Sequence, residues 1–363
     1  MKIAILHDYL NQWGGAERVT ETLIELFPEA DLYTLLYDEK KLKGKFKNNL
    51  KKTSFLDFPF VRNHHRFFIP LMPLASRFLK SDSEYDLVIS SSAGYAKGFN
   101  IRGKLHISYC HTPLRYAWEK KYLEDLPLSL KLISKIFGNP ILNYLKSWDK
   151  RAAEKVDFFI ANSGFIKEKI KAYYGKEAEV IYPPVDERAF YEENGPRGDF
   201  YLMAGRLIYY KRFDLGIKAC EHLKKKLKIA GTGPEEKKLR KSANPKFIEF
   251  AGNVRDNELR ALYNRAKALI FPQVEDFGLV AAEAHMCGLP VIAYNEGGAR
   301  EIVEDAKTGI LFEKQTEKNL AEAIQKFENM NFDRSKIAAS ARRFSKQVFK
   351  DKMMSVIGRI NRK

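Results

Sequence analysis

Short apolar runs recur along this chain. Each is closed by glycine, proline or small hydroxyl residues, and most lead into a stretch with helical spacing. In the first half the runs are Ile3–Leu6, Leu32–Tyr37, Asp86–Ser92, Leu105–Cys110 and Val156–Ser163. In the second half they are Phe200–Ala204, Leu227–Ala230, Phe247–Ala251, Ala268–Pro272 and Pro290–Tyr294. Runs without strict alternation read as strands buried on both faces, and regular strand–helix alternation reads as parallel βαβ units. The pattern predicts two doubly wound α/β domains facing each other across a cleft. The Pro183-Pro184 pair marks the boundary: an amino-terminal domain over 1–183, a carboxy-terminal one over 184–340, and a helical end over 341–363 that packs back on the first domain. An amphipathic region over 129–148 reads as two segments broken at Gly138-Asn139-Pro140, and about residues 334–360 read as helical with no strand of their own.

Composition fits this division. A chain of 363 residues, 45% of them hydrophobic, can bury two cores. The net charge is 63 − 46 = +17. Residues 1–184 hold 29 Lys and Arg against 21 Asp and Glu, which is +8, leaving +9 for the remainder, so there is no basic tail of the kind that grips nucleic acid. Anionic partners such as nucleotides, phospholipids or nucleic acid suit a generally basic surface. Three scattered cysteines, Cys110, Cys220 and Cys287, form neither a disulfide framework nor a metal cluster and point to a reducing compartment. The first residues read as a strand rather than a secretory signal, and no apolar run approaches the roughly 20 residues of a membrane span.

The charge is patterned in one place. Residues 40–52 carry seven lysines, and Phe55, Phe58, Phe60, Arg62, His64, His65, Arg66, Phe67, Phe68, Arg77, Phe78 and Lys80 follow. This interleaving suits either a surface that meets an anionic bilayer or a solvated lysine face over core aromatics.

Candidate chemistry gathers at the carboxyl ends of the predicted strands, where open parallel sheets bind ligands. Glu275 and Glu283 are eight residues apart, with Phe277-Gly278-Leu279 opening a helix between them. A helix start offers free N–H groups to a phosphate, and Glu283 can accept from ribose hydroxyls. On their own the two carboxylates also read as a solvated loop acid and a first-turn helix acid. Arg206 and Lys211 follow another strand, and two fixed cations beside a helix start make a diphosphate site without a metal. The Gly231-Thr232-Gly233-Pro234 loop lacks a P-loop lysine, and Gly14-Gly15 is not a dinucleotide fingerprint. His111 closes the Leu105–Cys110 run, where it reads either as a structural histidine or as one facing the same crevice from the first domain. A donor held by its nucleotide in one domain and attacked from the other is group transfer in a closing cleft.

Four stretches carry a family resemblance: Glu275-x7-Glu283, Gly205-Arg206-Leu207 with Lys211-Arg212-Phe213-Asp214, Gly14-Gly15-Ala16-Glu17-Arg18, and Tyr109-Cys110-His111-Thr112-Pro113. Together they resemble the family-4 retaining glycosyltransferases over nearly the whole chain. The resemblance implies the GT-B fold, two Rossmann-like domains. It is nearest to the GDP-mannose-dependent mannosyltransferases of O-antigen and exopolysaccharide assembly; Asp86–Ser92, Arg115–Trp118, Phe159–Ser163 and Val180–Asp186 resemble that subgroup's stretches. It implies a nucleotide-sugar donor, a lipid-linked saccharide acceptor, no cofactor and no metal, no nucleic-acid partner, and a cytoplasmic protein peripheral to the inner face of the plasma membrane. By the same resemblance Arg206 and Lys211 bind the diphosphate and stabilise the departing nucleotide, and Glu283 holds the ribose. Glu275 lies at the transferred sugar with the backbone of Phe277, Gly278 and Leu279. Val254 meets the base in the 252–254 segment, Gly233 lines the donor, Gly15 approaches the diphosphate, and His111 contacts the sugar's outer hydroxyl. Retention in that family is thought to proceed by front-face attack, the leaving phosphate taking the acceptor proton. The chain departs from the usual pattern at Ala281-Ala282 and His285-Met286, behind the site. Two other readings stay open: a hexosyltransferase using a UDP- or ADP-linked sugar, and a non-hydrolysing nucleotide-sugar epimerase.

Overall fold

The computed structural model describes residues 1–119 and 128–360. The chain divides into two compact units, Met1–Tyr182 with the chain from Lys352 onward, and Pro183–Asp351. Each unit is built on one parallel sheet.

In the first unit the strands are β1 (Ile3–Leu10), β2 (Asp31–Tyr37), β3 (Leu50–Thr53), β4 (Tyr85–Ser92), β5 (Gly103–Cys110), β6 (Phe158–Ala161) and β7 (Ala178–Val180). They pair in the order β3-β2-β1-β4-β5-β6-β7. Apolar residues at the sheet centre, among them Ile5, Leu6, Leu87, Ile89 and Ile107, are fully buried, as strands covered on both faces require. The order reverses between β1 and β4, which makes that junction the switch point where a crevice opens. In the second unit β8 (Tyr201–Ala204), β9 (Leu227–Ala230), β10 (Ile248–Gly252), β11 (Leu269–Phe271), β12 (Val291–Tyr294) and β13 (Gly309–Phe312) pair in the order β10-β9-β8-β11-β12-β13. Its switch point lies between β8 and β11.

Every apolar run read from the sequence is a strand; β1 runs four residues past the expected Leu6, and the other ends shift by two residues at most. Three strands were not legible: β3, β7 and β13. β3 holds Lys51 and Lys52, is exposed at its centre, and joins β2 with a register shift between Leu32 and Tyr33. The expected break at Gly138–Pro140 is absent. One helix, Leu128–Glu154, runs through Pro140. Proline costs an interior helix about 3 kcal/mol. Beyond it the helix buries Leu145, Ala152 and Ala153 in the core, and that burial offsets the loss. The helical carboxy-terminal end is also interrupted. Helices Arg334–Ala341 and Lys346–Ile360 flank a 3-10 turn, and Ser345 bridges Val185, whose N–H donates to the Phe344 carbonyl at 2.7 Å.

Candidate active site

In the second unit the loops after β8, β9 and β10 are stitched together by backbone. Leu207 N–H donates to the Thr232 carbonyl at 2.9 Å, and Gly231 N–H to the Gly252 carbonyl at 2.6 Å. The contact leaves no room for side chains: a Cβ on Gly233 would lie 2.3 Å from the Leu207 oxygen. Glycine there is therefore a packing requirement, whatever Gly233 does toward a ligand.

Lys211 ends a 3-10 turn, Tyr209–Lys211, after β8, and Glu275 follows β11. Their side chains meet across the switch point, with Lys211 Nζ 3.0 Å from Glu275 Oε1 and exposures of 14% and 18%. That oxygen is buried and makes no directed hydrogen bond, so the pair is held by charge rather than by alignment. Arg206 is exposed on the same loop. Its neighbour in the motif, Arg212, is committed elsewhere: it donates to Asp214 at 3.2 Å and to Gln315 at 3.0 Å.

The stretch after Glu275 is buried from Asp276 to Gly278 and half-buried at Leu279. Phe277 is buried with its ring against Phe344, 5.4 Å between centroids. Gly278 caps helix Leu279–Met286 at φ 102°, a left-handed conformation that glycine adopts without strain. Glu283 sits one turn inside this helix, buried, and accepts from the Tyr263 hydroxyl at 3.3 Å. Val254 is half-buried after β10.

His285, behind the site, is fully buried, and its Nε2 lies 3.1 Å from the Thr308 carbonyl, which can only accept. Burial, reinforced by Arg343 and opposed by that hydrogen bond, pushes its pKa from 6.5 down to about 3. The unfolded chain binds this proton first as pH falls. Stability is therefore full above about 6.5 and is lost progressively toward 3. Melting temperature is expected to drop between pH 7 and pH 4.5, and His285→Gln is expected to flatten part of that slope. Identical slopes for both chains would remove His285 from the explanation.

In the first unit Gly15 begins helix Gly15–Leu26 and is exposed, with Gly14 as cap. His111, just beyond β5, is nine-tenths buried. The register sets His7 opposite Ser91. His7 Nδ1 lies 2.9 Å from Thr20 Oγ1, 3.1 Å from the Ser91 carbonyl and 3.2 Å from Ser91 Oγ. Thr20 donates to Ser91 Oγ at 3.0 Å. Ser91 Oγ in turn lies 2.8 Å from His111 Nε2. On the far side His7 Nε2 is 3.9 Å from Glu17. Asp8, next along β1, accepts the backbone N–H groups of Ala93, Tyr95 and Ala96 and ties the loop after β4 to β1. Burial pushes its carboxyl above the ordinary range against the pull of His7 and of these donors.

Of the second unit's motif residues, Lys211 and Glu275 meet at the switch point, Gly233 and Val254 follow the neighbouring strands β9 and β10, and Gly15 and His111 belong to the other unit. His7, Thr20, Ser91, Asp8 and Tyr263 were not singled out in the sequence. Only the hydroxyl run Ser90–Ser92 at a strand end hinted at one of them. Among the described residues no group of three His, Cys, Asp or Glu side chains is placed to hold a metal ion.

Two parallel doubly wound sheets with ligand-binding loops at their switch points are the GT-B architecture, and two family models make the chain a nucleotide-sugar glycosyltransferase of that type. Residues 13–189 match the model described as Glycosyltransferase Family 4, and residues 186–344 the model described as Glycosyl transferases group 1. The chain belongs to the family-4 glycosyltransferases. It is 26% identical over 357 residues to an uncharacterized glycosyltransferase of Methanocaldococcus jannaschii, covering 96% of this chain and 94% of that one. A GDP-mannose-dependent alpha-(1-6)-phosphatidylinositol monomannoside mannosyltransferase of Mycobacterium tuberculosis is 27% identical over 217 residues, 52% of this chain and 56% of that one. Among solved structures, Anabaena HepE in complex with UDP has a TM-score of 0.72 at 17% identity, over 99% of this chain and all of that one.

Proposed function

We propose that this glycosyltransferase moves mannose, with retention, from GDP-mannose to a lipid-linked saccharide in O-antigen or exopolysaccharide assembly, at the cytoplasmic face of the membrane. The observation that carries the site is the Lys211–Glu275 pair at the β8/β11 switch point, a cation and a carboxylate together where a parallel sheet binds ligands. On this reading Arg206 and Lys211 neutralise the diphosphate with no metal. Glu283, steadied by Tyr263, takes the ribose hydroxyls. The backbone of Phe277, Gly278 and Leu279, at the start of helix Leu279–Met286, meets sugar hydroxyls or phosphate beside Glu275. Gly233 and Val254 line the nucleotide. The family resemblance assigns Gly15 to the diphosphate and His111, 2.8 Å from Ser91 Oγ, to the sugar's outer hydroxyl. The mannose assignment draws on the motifs quoted above and on the mycobacterial relative's named donor.

The test is a panel of GDP, UDP, ADP and their sugars, read first by thermal shift and then by transfer to an extracted lipid acceptor. A ligand specific to the folded state at about a hundredfold above its Kd adds about 2.7 kcal/mol of stability, an easily read shift. Selective stabilisation by GDP and transfer from GDP-mannose are expected. Transfer from another nucleotide sugar with none from GDP-mannose overturns the donor. Turnover of a sugar nucleotide with no acceptor present points instead to an epimerase.

A further inference from the structure

We propose that the helical segment Pro59–Phe78 is a docking element that seats the amino-terminal unit on an anionic lipid bilayer. The segment runs as helix Pro59–His64, 3-10 turn His65–Leu71 and helix Met72–Phe78. One side is sunk in the core through Val61, Ile69, Met72 and Ala75. A second apolar stripe follows the spacing 4, 3, 4, 3, 4 through Phe60, His64, Phe67, Leu71, Leu74 and Phe78, and all six are exposed. Phe60 is 60% and Phe78 59% exposed. Ring contacts occur at each of its ends: Phe60 stacks on His64 at 4.7 Å, His64 neighbours Phe67 at 6.3 Å, and Phe78 meets the exposed Phe55 edge-on at 6.2 Å. Among the described residues twelve large apolar side chains are exposed, and seven of them fall within residues 55–78. A surface helix ordinarily turns its apolar stripe inward, and a second, exposed one marks an interaction surface.

Charge decides which partner. Residues 40–80 hold eight lysines and three arginines against Asp57 alone, so 11 − 1 = +10. Residues 1–184 total only +8, so the rest of that half is slightly acidic and its positive charge lies on this one segment. Lys51, Lys52, Arg77 and Lys80 are exposed around the stripe. Two copies meeting through such a face would oppose like charges. Single-stranded nucleic acid needs stacking faces, and two of the six stripe residues are leucines. Aromatic and aliphatic side chains ringed by Lys and Arg match an anionic headgroup layer over acyl chains. Asn11, just past β1 and ahead of Gly14-Gly15, donates to the Arg62 carbonyl at 2.8 Å and meets His65 at 3.2 Å. The docking segment is thus fastened to the loop at the carboxyl end of β1, where a membrane-borne acceptor would be received. That purpose rests on the proposed acceptor, but the bilayer contact itself does not.

The full chain is mixed with vesicles of phosphatidylglycerol and phosphatidylcholine, or of phosphatidylcholine alone, and sedimented. Binding to the anionic vesicles is expected, weakened by salt and much weaker on neutral ones. Phe60→Ser/Phe67→Ser/Phe78→Ser is expected to lower partitioning about a hundredfold or more. Lys51→Gln, Arg77→Gln and Lys80→Gln are expected to lower it about fivefold each. These side chains are exposed, so melting temperature and nucleotide-induced thermal shifts should match the parent, separating this test from that of the donor. Wild-type chain left in the supernatant, equal binding to both vesicle types, or undiminished binding by the folded triple variant overturns the proposal. So does a stripe-dependent dimer, or oligonucleotide binding, without vesicle binding.

Discussion

Replacing Lys211 with alanine is expected to lower transfer turnover by about two to three orders of magnitude while the chain stays folded. The ammonium lies 3.0 Å from Glu275 Oε1 without a directed hydrogen bond. It has three protons, and one carboxylate does not exhaust it. A diphosphate entering between the β8 and β11 loops therefore finds a cation already in place, in a site dry enough for charge to count. Glu275→Ala separates two roles that a single loss of activity would blur. Without the carboxylate, Lys211 keeps its charge and loses its competitor. Binding of the nucleoside diphosphate should hold or tighten while turnover falls. Lys211→Ala should weaken both. Thermal shifts with GDP, beside turnover numbers, read the difference. Near wild-type turnover in both variants would remove this pair from the site.

Why this pair was legible, and other contacts were not, follows from where each residue sits in the chain. Lys211 and Glu275 each follow an apolar run, and parallel topology brings all strand carboxyl ends to one edge, so strand endings alone proposed their meeting. The Ser91–His111 contact depends on register as well as on strand ends. It exists because His7 pairs with Ser91 and Ser92 with Cys110, and pairing partners cannot be read from runs. β3 escaped for a different reason. An edge strand needs no apolar centre, and lysines there guard against pairing with another chain, so Lys51-Lys52 reads as a solvated run. The aromatic segment after it left two readings open because helical spacing alone does not say which of two apolar stripes faces inward. Burial of Val61 and Met72 against exposure of Phe60 and Phe78 does. Pro140 misled in the opposite direction: a local rule for ending helices lost to the core contacts made further along the same helix.

The largest expected loss of stability comes from a contact with no sequence signature. Lys97 and Asp149 are 52 residues apart and almost wholly buried, with Nζ 2.5 Å from Oδ1. Lys97 also donates to the Gly94 carbonyl, and Asp149 Oδ2 accepts from Trp118 Nε1 and from the Tyr174 hydroxyl, both at 2.7 Å. The pair joins the turn after β4, helix Arg115–Trp118, helix Leu128–Glu154 and the end of helix Gly164–Tyr174. Lys97→Met keeps most of the volume and removes the charge. The carboxylate is then left in the core with only two neutral donors, which costs about 3–5 kcal/mol. For a unit of this size that is a fall in melting temperature of about 10 °C. Lys97→Met/Asp149→Leu removes both charges, and its loss should be smaller than that of Lys97→Met alone, because no bare ion remains. Thermal melts of the two variants and the parent test this directly. A Lys97→Met chain as stable as the parent, or a double variant less stable than the single, would show that the buried charges are not what holds these four segments together.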